Sequence, residues 1–210
     1  EERLSTYINS LDSGNTEFLE KLEQEAIADY VPIIRKDMQN LLRFLLRLQR
    51  PQKILEIGTA VGFSAILMGE TTSSECTITT IEKYEKRIPI ARENFKRAGM
   101  TERITLLEGD AAEIIAGLEG SYDFIFMDAA KGQYMEFLAV ADRILKPGGL
   151  LVADNVLLNG WVVNLNYPRH RQKTMVYRMK AFLEQFKENP AYQCSVVPLG
   201  DGVALIRKCE

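Results

Sequence analysis

The sequence predicts an α/β protein in which helices cover both faces of a mostly parallel sheet. Two observations lead to this prediction. From Lys53 onward, short apolar runs alternate with longer segments of helical period, as in βαβ units. Near the C-terminus, two strand-like runs follow each other with only residues 199–202 between them, which indicates an antiparallel hairpin. We therefore expect a parallel sheet with a hairpin appended to it.

Length and composition predict one domain spanning residues 1–210. The chain has 210 residues, of which 46% are hydrophobic and 26% are charged, and this is enough to build one sizeable core. No apolar run approaches the roughly 18 residues of a membrane span, so we expect no membrane partner. Within the domain we distinguish an N-terminal helical cap, residues 1–50, from a core that contains the sheet, residues 51–210.

The cysteine and histidine counts limit the possible chemistry. The three cysteines have no CxxC spacing, which suggests neither a disulfide framework nor a zinc site and favours a reducing, cytoplasmic location. His170 is the only histidine, so a histidine-rich metal site is excluded and any metal ion must be held by oxygen. The net charge of -3 argues against a general nucleic-acid coat, although it leaves room for a local basic patch.

The segment before Lys53 is predicted to be helical throughout. Its clearest helix carries apolar residues at helical spacing and is closed by Pro51. The apolar positions of this helix are Met38, Leu41, Leu42, Leu45 and Leu48. Such helices either cap the domain or form a dimer surface, and we expect a homodimer.

Seven strand-like runs follow this segment. The five predicted parallel strands are residues 53–57, 77–82, 103–108, 123–128 and 150–154. A long helical stretch from Lys173, closed by Pro190, then leads into the two runs of the hairpin, YQCSVVPL and GVALIRK. Because the parallel strands point the same way, the residues that end them are expected to meet at one edge of the sheet, where α/β proteins bind their ligands.

The turn after the first strand, ILEIGTAVGFSA, has the composition of a ligand-binding loop. Gly58 lets the chain turn sharply beside a ligand, and Gly62 opens a helix whose N-terminal N–H groups can bind an anion. Glu56 stands near the end of the strand. Ala60 occupies the place of the second glycine of the dinucleotide fingerprint, so the pattern is weak on its own. A tight connection without a ligand is the alternative interpretation.

Acidic residues end the second strand and follow the third. Glu82 can accept hydrogen bonds from both hydroxyls of a ribose, or it can be a surface glutamate. Asp110 can cap the following helix, and it can also face the edge of an adenine. Since these acids and the glycine turn lie at one edge of the predicted sheet, a ribose-bearing cofactor explains them together.

Two acids and an amide end the fourth and fifth strands. If these strands are neighbours, Asp128, Asp154 and Asn155 converge, and such hard oxygen ligands suit Mg²⁺ or another divalent cation. Lys131 follows closely, and near a metal ion its neutral amine becomes accessible, so that it can act as a base. The alternatives are acids that cap loops or helices, and a lysine that is exposed or paired with an acid.

Several blocks of the chain resemble the cation-dependent class I O-methyltransferases, the group that contains the catechol and caffeoyl-CoA enzymes. These blocks are LEIGTAVGFSA, TIEKYE, MDAAKGQY, ADNVLLNG and LGDGVALIRK, within about residues 38–208. The resemblance implies a Rossmann-like class I methyltransferase fold with a seven-stranded sheet whose last strand is antiparallel. It also implies S-adenosylmethionine (SAM) as the cofactor of a cofactor-binding core, residues 51–210.

The same resemblance implies roles for the residues described above. The implied SAM-binding residues are Glu56, Gly58, Ala60, Gly62, Ser64, Glu82, Asp110, Ala111 and Asp128. The implied metal ligands are Asp128, Asp154 and Asn155. Lys131 and Asp128 are the implied catalytic residues.

Within this group, the likeness is greatest to bacterial members that methylate 5-hydroxyuridine at the wobble position of tRNA. It lies in DNVLLNGWV and in the basic segment PRHRQKTMVYRMKAF. Arg169, Arg171 and Lys173 in this segment can contact phosphates. The alternative interpretation is a helix with one face in the core, whose solvated face is basic in any case.

The sequence therefore predicts a Mg²⁺-dependent, SAM-dependent O-methyltransferase. Its favoured substrate is tRNA, in which it would convert 5-hydroxyuridine to 5-methoxyuridine. A small-molecule enzyme of the catechol or caffeoyl-CoA type is the first alternative. A non-catalytic module that binds SAM or RNA is the second, and the complete set of metal and lysine positions disfavours it.

Overall fold

The computed structural model describes residues 2–12, 14–128, 134–163 and 170–209. Its helices are α1 (Glu2–Ser10), α2 (Glu17–Ala28), α3 (Lys36–Gln49), α4 (Phe63–Thr71), α5 (Ile88–Arg97), α6 (Ala111–Gly117), α7 (Tyr134–Ile144) and α8 (His170–Glu184). Its strands are β1 (Lys53–Ile57), β2 (Thr77–Glu82), β3 (Ile104–Glu108), β4 (Tyr122–Met127), β5 (Leu145–Ala153), β6 (Tyr192–Val197) and β7 (Val203–Lys208). A short 3-10 turn, Trp161–Val163, lies between β5 and α8.

The strands form one sheet in the order β3-β2-β1-β4-β5-β7-β6. The pairs among β1 to β5 are parallel, whereas β7 runs antiparallel to both β5 and β6. The predicted parallel sheet with an appended hairpin is therefore confirmed. Between β1 and β4 the strand order reverses direction, and the crevice outside such a switch point is where open α/β sheets bind their ligands.

The predicted start of the fifth strand is wrong by several residues. The sequence places it at residue 150, but β5 begins at Leu145 and pairs with β4 from Tyr122 onward. The pairing then shifts register between Tyr122 and Phe124, around a segment that contains Pro147 and Gly148, and Gly148 has a φ of 75°. An irregularity of this kind interrupts the apolar alternation that marks a strand in the sequence, so the first part of β5 resembles a turn.

Helices bury both faces of the parallel strands, as their apolar composition requires. Successive residues of one strand point to opposite faces. Ile54 in β1 and Phe124 in β4 join a core cluster shared with α2 to α5, whereas Leu55 and Ile125 join the cluster shared with α6 to α8. The site at the edge of the sheet is therefore held between two packed layers.

The N-terminal helices pack on the first of these clusters. In α3 the side chains of Met38, Leu42 and Leu45 are buried, whereas Leu48, from the same predicted stripe, is 70% exposed. Further exposed apolar side chains of this region are Leu4, Tyr7, Ile8, Leu11 and Phe44. Exposed apolar patches are common in interfaces between protein chains. The homodimer and the division of the domain into a cap and a core stay predictions. Among the described residues, no helix is both long and apolar enough to cross a membrane.

Gly202 lies in the hairpin turn between β6 and β7, where the turn packs closely on Leu157 in the segment that follows β5. We expect the Gly202→Ala variant to be less stable than the wild type. A Cβ at this position would lie 2.7 Å from Cδ1 of Leu157, and the backbone φ is +84°. The expected loss in the free energy of unfolding is about 2–4 kcal/mol, because both the overlap and the left-handed backbone oppose a side chain.

Denaturant titration measures this loss, and Gly160→Ala is the matched control. Gly160 has a similar φ of +77°, but a Cβ there would meet nothing within 4 Å. The control should lose only about 1 kcal/mol, which is the cost of the backbone conformation alone. Equal losses in the two variants would show that the overlap with Leu157 is relieved without cost.

Candidate active site

The loop after β1 is held in a tight conformation that exposes its backbone. Gly58, Ala60 and Gly62 have positive φ values of 105°, 48° and 87°. The N–H groups of Gly58 and Thr59 both donate to the carbonyl of Ile81, at 3.1 Å and 3.2 Å, which ties the loop to β2. Ala60 in the left-handed region stores strain of the kind found at ligand sites. The loop ends where α4 begins, so the free N–H groups of that helix face the same edge.

Glu82, at the end of β2, is fixed by three backbone donors. Its Oε2 accepts from the N–H of Ala60 at 2.8 Å, and its Oε1 accepts from the N–H groups of Lys83 at 3.0 Å and Tyr84 at 2.8 Å. The carboxylate thereby joins β2 to the glycine loop, and it is 9% exposed. Its orientation is set before any ligand arrives, and its remaining lone pairs are available to a hydroxyl donor.

Asp110 caps α6, as one of the two sequence interpretations holds. Its Oδ1 accepts from the N–H of Ala112 at 2.9 Å, and its Oδ2 lies 3.4 Å from Nζ of Lys83. Ala111 lines a cavity of about 240 Å³ together with Glu82 and Asp128. The adenine-facing role of Asp110 and Ala111 stays a prediction.

Glu56 lies beneath the loop and lines neither of the two cavities at this edge, because it has no exposed surface. Ser64 and Thr80 donate their hydroxyl hydrogens to its two oxygens. Thr80 is in turn hydrogen-bonded to Thr59 at 2.5 Å. Burial raises the pKa of Glu56 to about 8, and the charges of Asp128 and Glu82 add to the rise, whereas the two hydroxyl donors oppose it. Any effect of Glu56 on a cofactor passes through Ser64 or Thr59, which line the cavity.

This raised pKa predicts a specific pH dependence of stability. The unfolded carboxyl ionises near its ordinary pKa of 4.5, whereas the folded one stays protonated until the pH approaches about 8. Between these values the folded state binds the extra proton, so the free energy of unfolding falls as the pH rises, by at most about 1.4 kcal/mol per pH unit. In Glu56→Gln this contribution is absent. Denaturant titrations at several pH values measure the difference, and a constant difference between the two proteins would contradict the assignment.

The acids that end β4 and β5 converge with the neighbouring amide. The N–H of Asp128 donates to the carbonyl of Ile57 at 3.0 Å, which continues the ladder between β4 and β1. Nδ2 of Asn155 lies 3.2 Å from Oδ1 of Asp128, and the N–H of Asn155 lies 2.7 Å from Oδ1 of Asp154. Tyr134 donates its hydroxyl hydrogen to the carbonyl of Asp154 at 2.8 Å. The side chains of Asp128 and Asn155 are therefore in contact, and Asp154 lines the same cavity as both of them.

The donor set fits a small divalent cation. The candidate ligands are two carboxylates and an amide oxygen, which are hard oxygen donors. Among the described residues, no group of three or more His, Cys, Asp or Glu could hold a metal ion. Neighbouring ligands of an octahedral Mg²⁺ at about 2.1 Å from the ion are roughly 3 Å apart. Nδ2 of Asn155 and Oδ1 of Asp128 are 3.2 Å apart. With the amide group turned over, Oδ1 of Asn155 would take the place of Nδ2, and the two ligand oxygens would be separated by about this distance. The role of these residues as metal ligands stays a prediction.

One cavity of about 350 Å³ brings the two halves of the predicted site together. Its lining includes Gly58, Ala60, Ser64 and Glu82 from the cofactor side, and Asp128, Asp154 and Asn155 from the metal side. Gly62 lies at the end of the loop and packs against α5, where a Cβ would approach Cε1 of Phe95 to 2.6 Å. The cavity volume lies within the range of small-molecule sites.

Some predicted residues are not placed by the structure. Lys131 and Arg169 lie outside the described residues. The backbone of Arg171 belongs to α8, but its side chain is not described. Lys173 is exposed, with Nζ 5.9 Å from the ring centroid of Tyr177. Contact with RNA therefore stays a prediction.

The structure also adds residues that the sequence interpretation did not single out. Thr59 and Thr80 complete the network of Glu56, and Arg35, Asp37 and Asp201 line the cavity. Tyr134 holds the backbone of Asp154. Thr59, Thr80, Tyr134 and Asp201 lie within the blocks quoted in the sequence analysis, which gave them no role of their own. Arg35 and Asp37 lie outside these blocks.

The fold and the site together define a class I methyltransferase architecture: a parallel sheet with an antiparallel seventh strand, a glycine loop after β1, and an acid at the end of β2. The sequence profile of the O-methyltransferase family matches residues 9–209. The chain belongs to this family and is a methyltransferase.

Individual relatives agree with this assignment. A catechol O-methyltransferase from Niastella koreensis is 36% identical over 129 residues, which are 60% of this chain and 58% of the relative, so less than two thirds of its length is spanned. A caffeoyl-CoA O-methyltransferase from Eucalyptus globulus is 30% identical over 183 residues, with 82% of this chain and 73% of the relative covered. The crystal structure of an SAH-bound methyltransferase from Podospora anserina superposes with a TM-score of 0.88 at 27% identity, and the superposition covers 100% of this chain and 95% of that chain.

Proposed function

We propose that this protein transfers the methyl group of SAM to one oxygen of a vicinal diol on a small aromatic molecule, with the help of a divalent cation. The observation that carries the proposal is the shared cavity, in which Asp128, Asp154 and Asn155 face the glycine loop and Glu82. A methyl donor and an acceptor held on these two sides would be neighbours.

SAM is proposed as the cofactor because the fold, the loop and Glu82 suit an adenosyl group, and because the Podospora anserina methyltransferase is SAH-bound. Its methionine part would lie along Gly58, Ala60 and Gly62 beside Ser64. Its ribose hydroxyls would donate to Glu82, whose carboxylate is already oriented by three N–H groups. The adenine would enter the smaller cavity near Ala111.

Asp128, Asp154 and Asn155 would hold the divalent cation. When bound, such an ion would be chelated by the two neighbouring oxygens of the diol and would lower the pKa of the reacting hydroxyl. The residues of the chain then have positioning tasks: Tyr134 fixes the backbone of Asp154, and Asp128 stands between the two halves of the cavity. Lys131 is proposed to accept or steer the hydroxyl proton.

A small diol is proposed as the acceptor in place of the tRNA favoured by the sequence interpretation. The named relatives are catechol and caffeoyl-CoA O-methyltransferases, and they support the alternative that the sequence left open. The prediction of tRNA rests on the likeness of DNVLLNGWV and of the basic segment that contains Arg169, Arg171 and Lys173, and of these three residues only Lys173 has a described side chain. An exposed lysine beside a tyrosine is an ordinary feature of a helix surface.

The acceptor is decided by offering methyl-labelled SAM and Mg²⁺ with two substrates in parallel. One reaction contains catechols, and the other contains tRNA that carries 5-hydroxyuridine at the wobble position. Label in the catechols and none in the tRNA is expected. Label in the tRNA alone would overturn the proposed acceptor, and label in neither would overturn the diol chemistry as a whole.

A further inference from the structure

The wall of the cavity carries an arginine that the proposed mechanism does not use. We propose that Arg35 selects acceptors in which the vicinal diol is joined to an anionic group such as a carboxylate, an inference that rests on the proposed function. Arg35 would thus be a residue for substrate specificity and would take no part in the transfer step.

Arg35 stands immediately before α3, at the N-cap position, where its backbone is extended and its side chain makes no capping hydrogen bond. Its carbonyl accepts from the N–H of Gln39 at 2.9 Å, which anchors the residue at the start of the helix. The side chain lines the same cavity as the proposed metal ligands. A residue at this position can change its side-chain contacts without disturbing the helix.

The turn between β6 and β7 brings Arg35 to the acceptor side of the cavity. The N–H groups of Val156 and Leu157 donate to the carbonyls of Gly202 and Asp201, at 2.9 Å and 2.8 Å, so the turn is fixed to the segment that follows Asn155. A Cβ at Gly200 would lie 4.0 Å from Nη1 of Arg35. The guanidinium group therefore lies against the turn that packs beside a proposed metal ligand.

The acids beside Arg35 accept hydrogen bonds from backbone N–H groups, and they accept none from the guanidinium of Arg35. Oδ1 of Asp201 accepts from the N–H of Asn159, and Oδ1 of Asp37 accepts from the N–H of Met38 at 2.8 Å. In the part of the chain that the structure describes, the guanidinium of Arg35 takes part in no hydrogen bond or ion pair. The donors of Arg35 are therefore available to an acceptor.

Other cations near the cavity are already engaged. Lys36 binds Glu20 at 2.7 Å and Glu23 at 2.6 Å. The guanidinium of Arg87 lies 5.4 Å from the ring centroid of Tyr84, on the cofactor side. Arg35 is thus the cation whose position and free donors suit the second end of a bound diol.

A guanidinium group matches a carboxylate because it presents parallel N–H donors. With the diol at Asp128, Asp154 and Asn155, a short acidic side chain on the ring would extend toward Arg35 within a cavity of about 350 Å³. Two features limit the effect: Arg35 is exposed, and Oδ2 of Asp37 would lie 3.7 Å from a Cβ at Gly200, on the same side. We therefore expect a preference of roughly tenfold, as for a partly solvated charged pair, and no absolute requirement.

The test compares two acceptors of almost equal shape, 3-(3,4-dihydroxyphenyl)propionate and its primary amide. In the wild-type enzyme with SAM and Mg²⁺ at low salt, kcat/KM for the acid should exceed that for the amide about tenfold, and the ratio should fall as salt is added. In Arg35→Gln the ratio should approach one, because kcat/KM for the acid should fall while kcat/KM for the amide stays the same. Arg35→Lys should keep part of the preference for the acid.

Arg47→Gln is the matched control, because Arg47 is an exposed arginine in the last turn of the same helix, roughly 18 Å along the axis from Arg35. It should keep the wild-type ratio. Thermal unfolding and SAM binding verify that each variant is folded. Equal rates for acid and amide in the wild type, or a ratio unchanged in Arg35→Gln, would overturn the role of Arg35 while leaving diol methylation standing. Transfer to neither compound would overturn the proposed function itself.

Discussion

Asp154→Ala is expected to lower the rate of methyl transfer to a catechol at least about a thousandfold, because the loss of one ligand removes several kcal/mol of stabilisation by the metal ion. SAM binding should change by less than about threefold, since Asp154 lies on the metal side of the cavity. Initial rates with labelled SAM measure the first effect, and calorimetric titration with SAM measures the second.

The control for this variant is Asp29→Ala, which removes an exposed aspartate at the C-terminal end of α2, away from the cavity. Its rate should equal that of the wild type. Asp154→Asn separates charge from shape, and it should bind Mg²⁺ more weakly while keeping the fold. If Asp154→Ala transferred methyl groups at a rate within tenfold of the wild type, Asp154 would not be a ligand of a catalytic ion.

Glu82→Ala is expected to weaken SAM binding at least about a hundredfold, with a much smaller effect on the rate at saturating SAM. Two contributions add up: the ribose hydroxyls lose a charged acceptor, and the N–H groups of Ala60, Lys83 and Tyr84 lose their partner. Hydrogen bonds to charged groups contribute about 1.5–3 kcal/mol each. Because Ala60 belongs to the glycine loop, that loop should also lose order.

Glu108→Ala is a close control for Glu82→Ala. Glu108 ends β3 in direct register with Glu82, but its carboxylate is exposed and pairs with Arg92. An ion pair on the surface contributes at most about 1 kcal/mol, so this variant should bind SAM as the wild type does. A dissociation constant of Glu82→Ala within threefold of the wild-type value would exclude Glu82 from the ribose site.

The sequence predicts the parts of this fold that depend on periodicity. The first two strands have the bounds that the apolar runs indicate, and the hairpin between β6 and β7 follows from its turn residues. The convergence of Asp128 with Asp154 follows from one further assumption, that β4 and β5 are neighbours, and they are. Strand periodicity and the residues at strand ends can therefore be recognised from the sequence alone.

Features that depend on long-range packing are not visible in the same way. Ser64 and Thr80 meet Glu56 from different elements, so its burial changes it from a predicted cofactor contact into a group beneath the loop. Arg35 reaches the cavity because the β6–β7 turn folds back over the chain beyond β5. Neither the burial of Glu56 nor the position of Arg35 can be predicted from residue spacing, since each depends on where two distant segments of the chain pack.

The dependence of methyl transfer on a divalent cation tests the central claim most directly. The enzyme is freed of metal with EDTA, and the initial rate of label transfer from SAM to a catechol is followed as free Mg²⁺ is restored. We expect the rate to fall to background in excess EDTA and to recover in a saturable way with Mg²⁺, as Asp128, Asp154 and Asn155 take up the ion. An undiminished rate in excess EDTA would contradict a metal site formed by these residues.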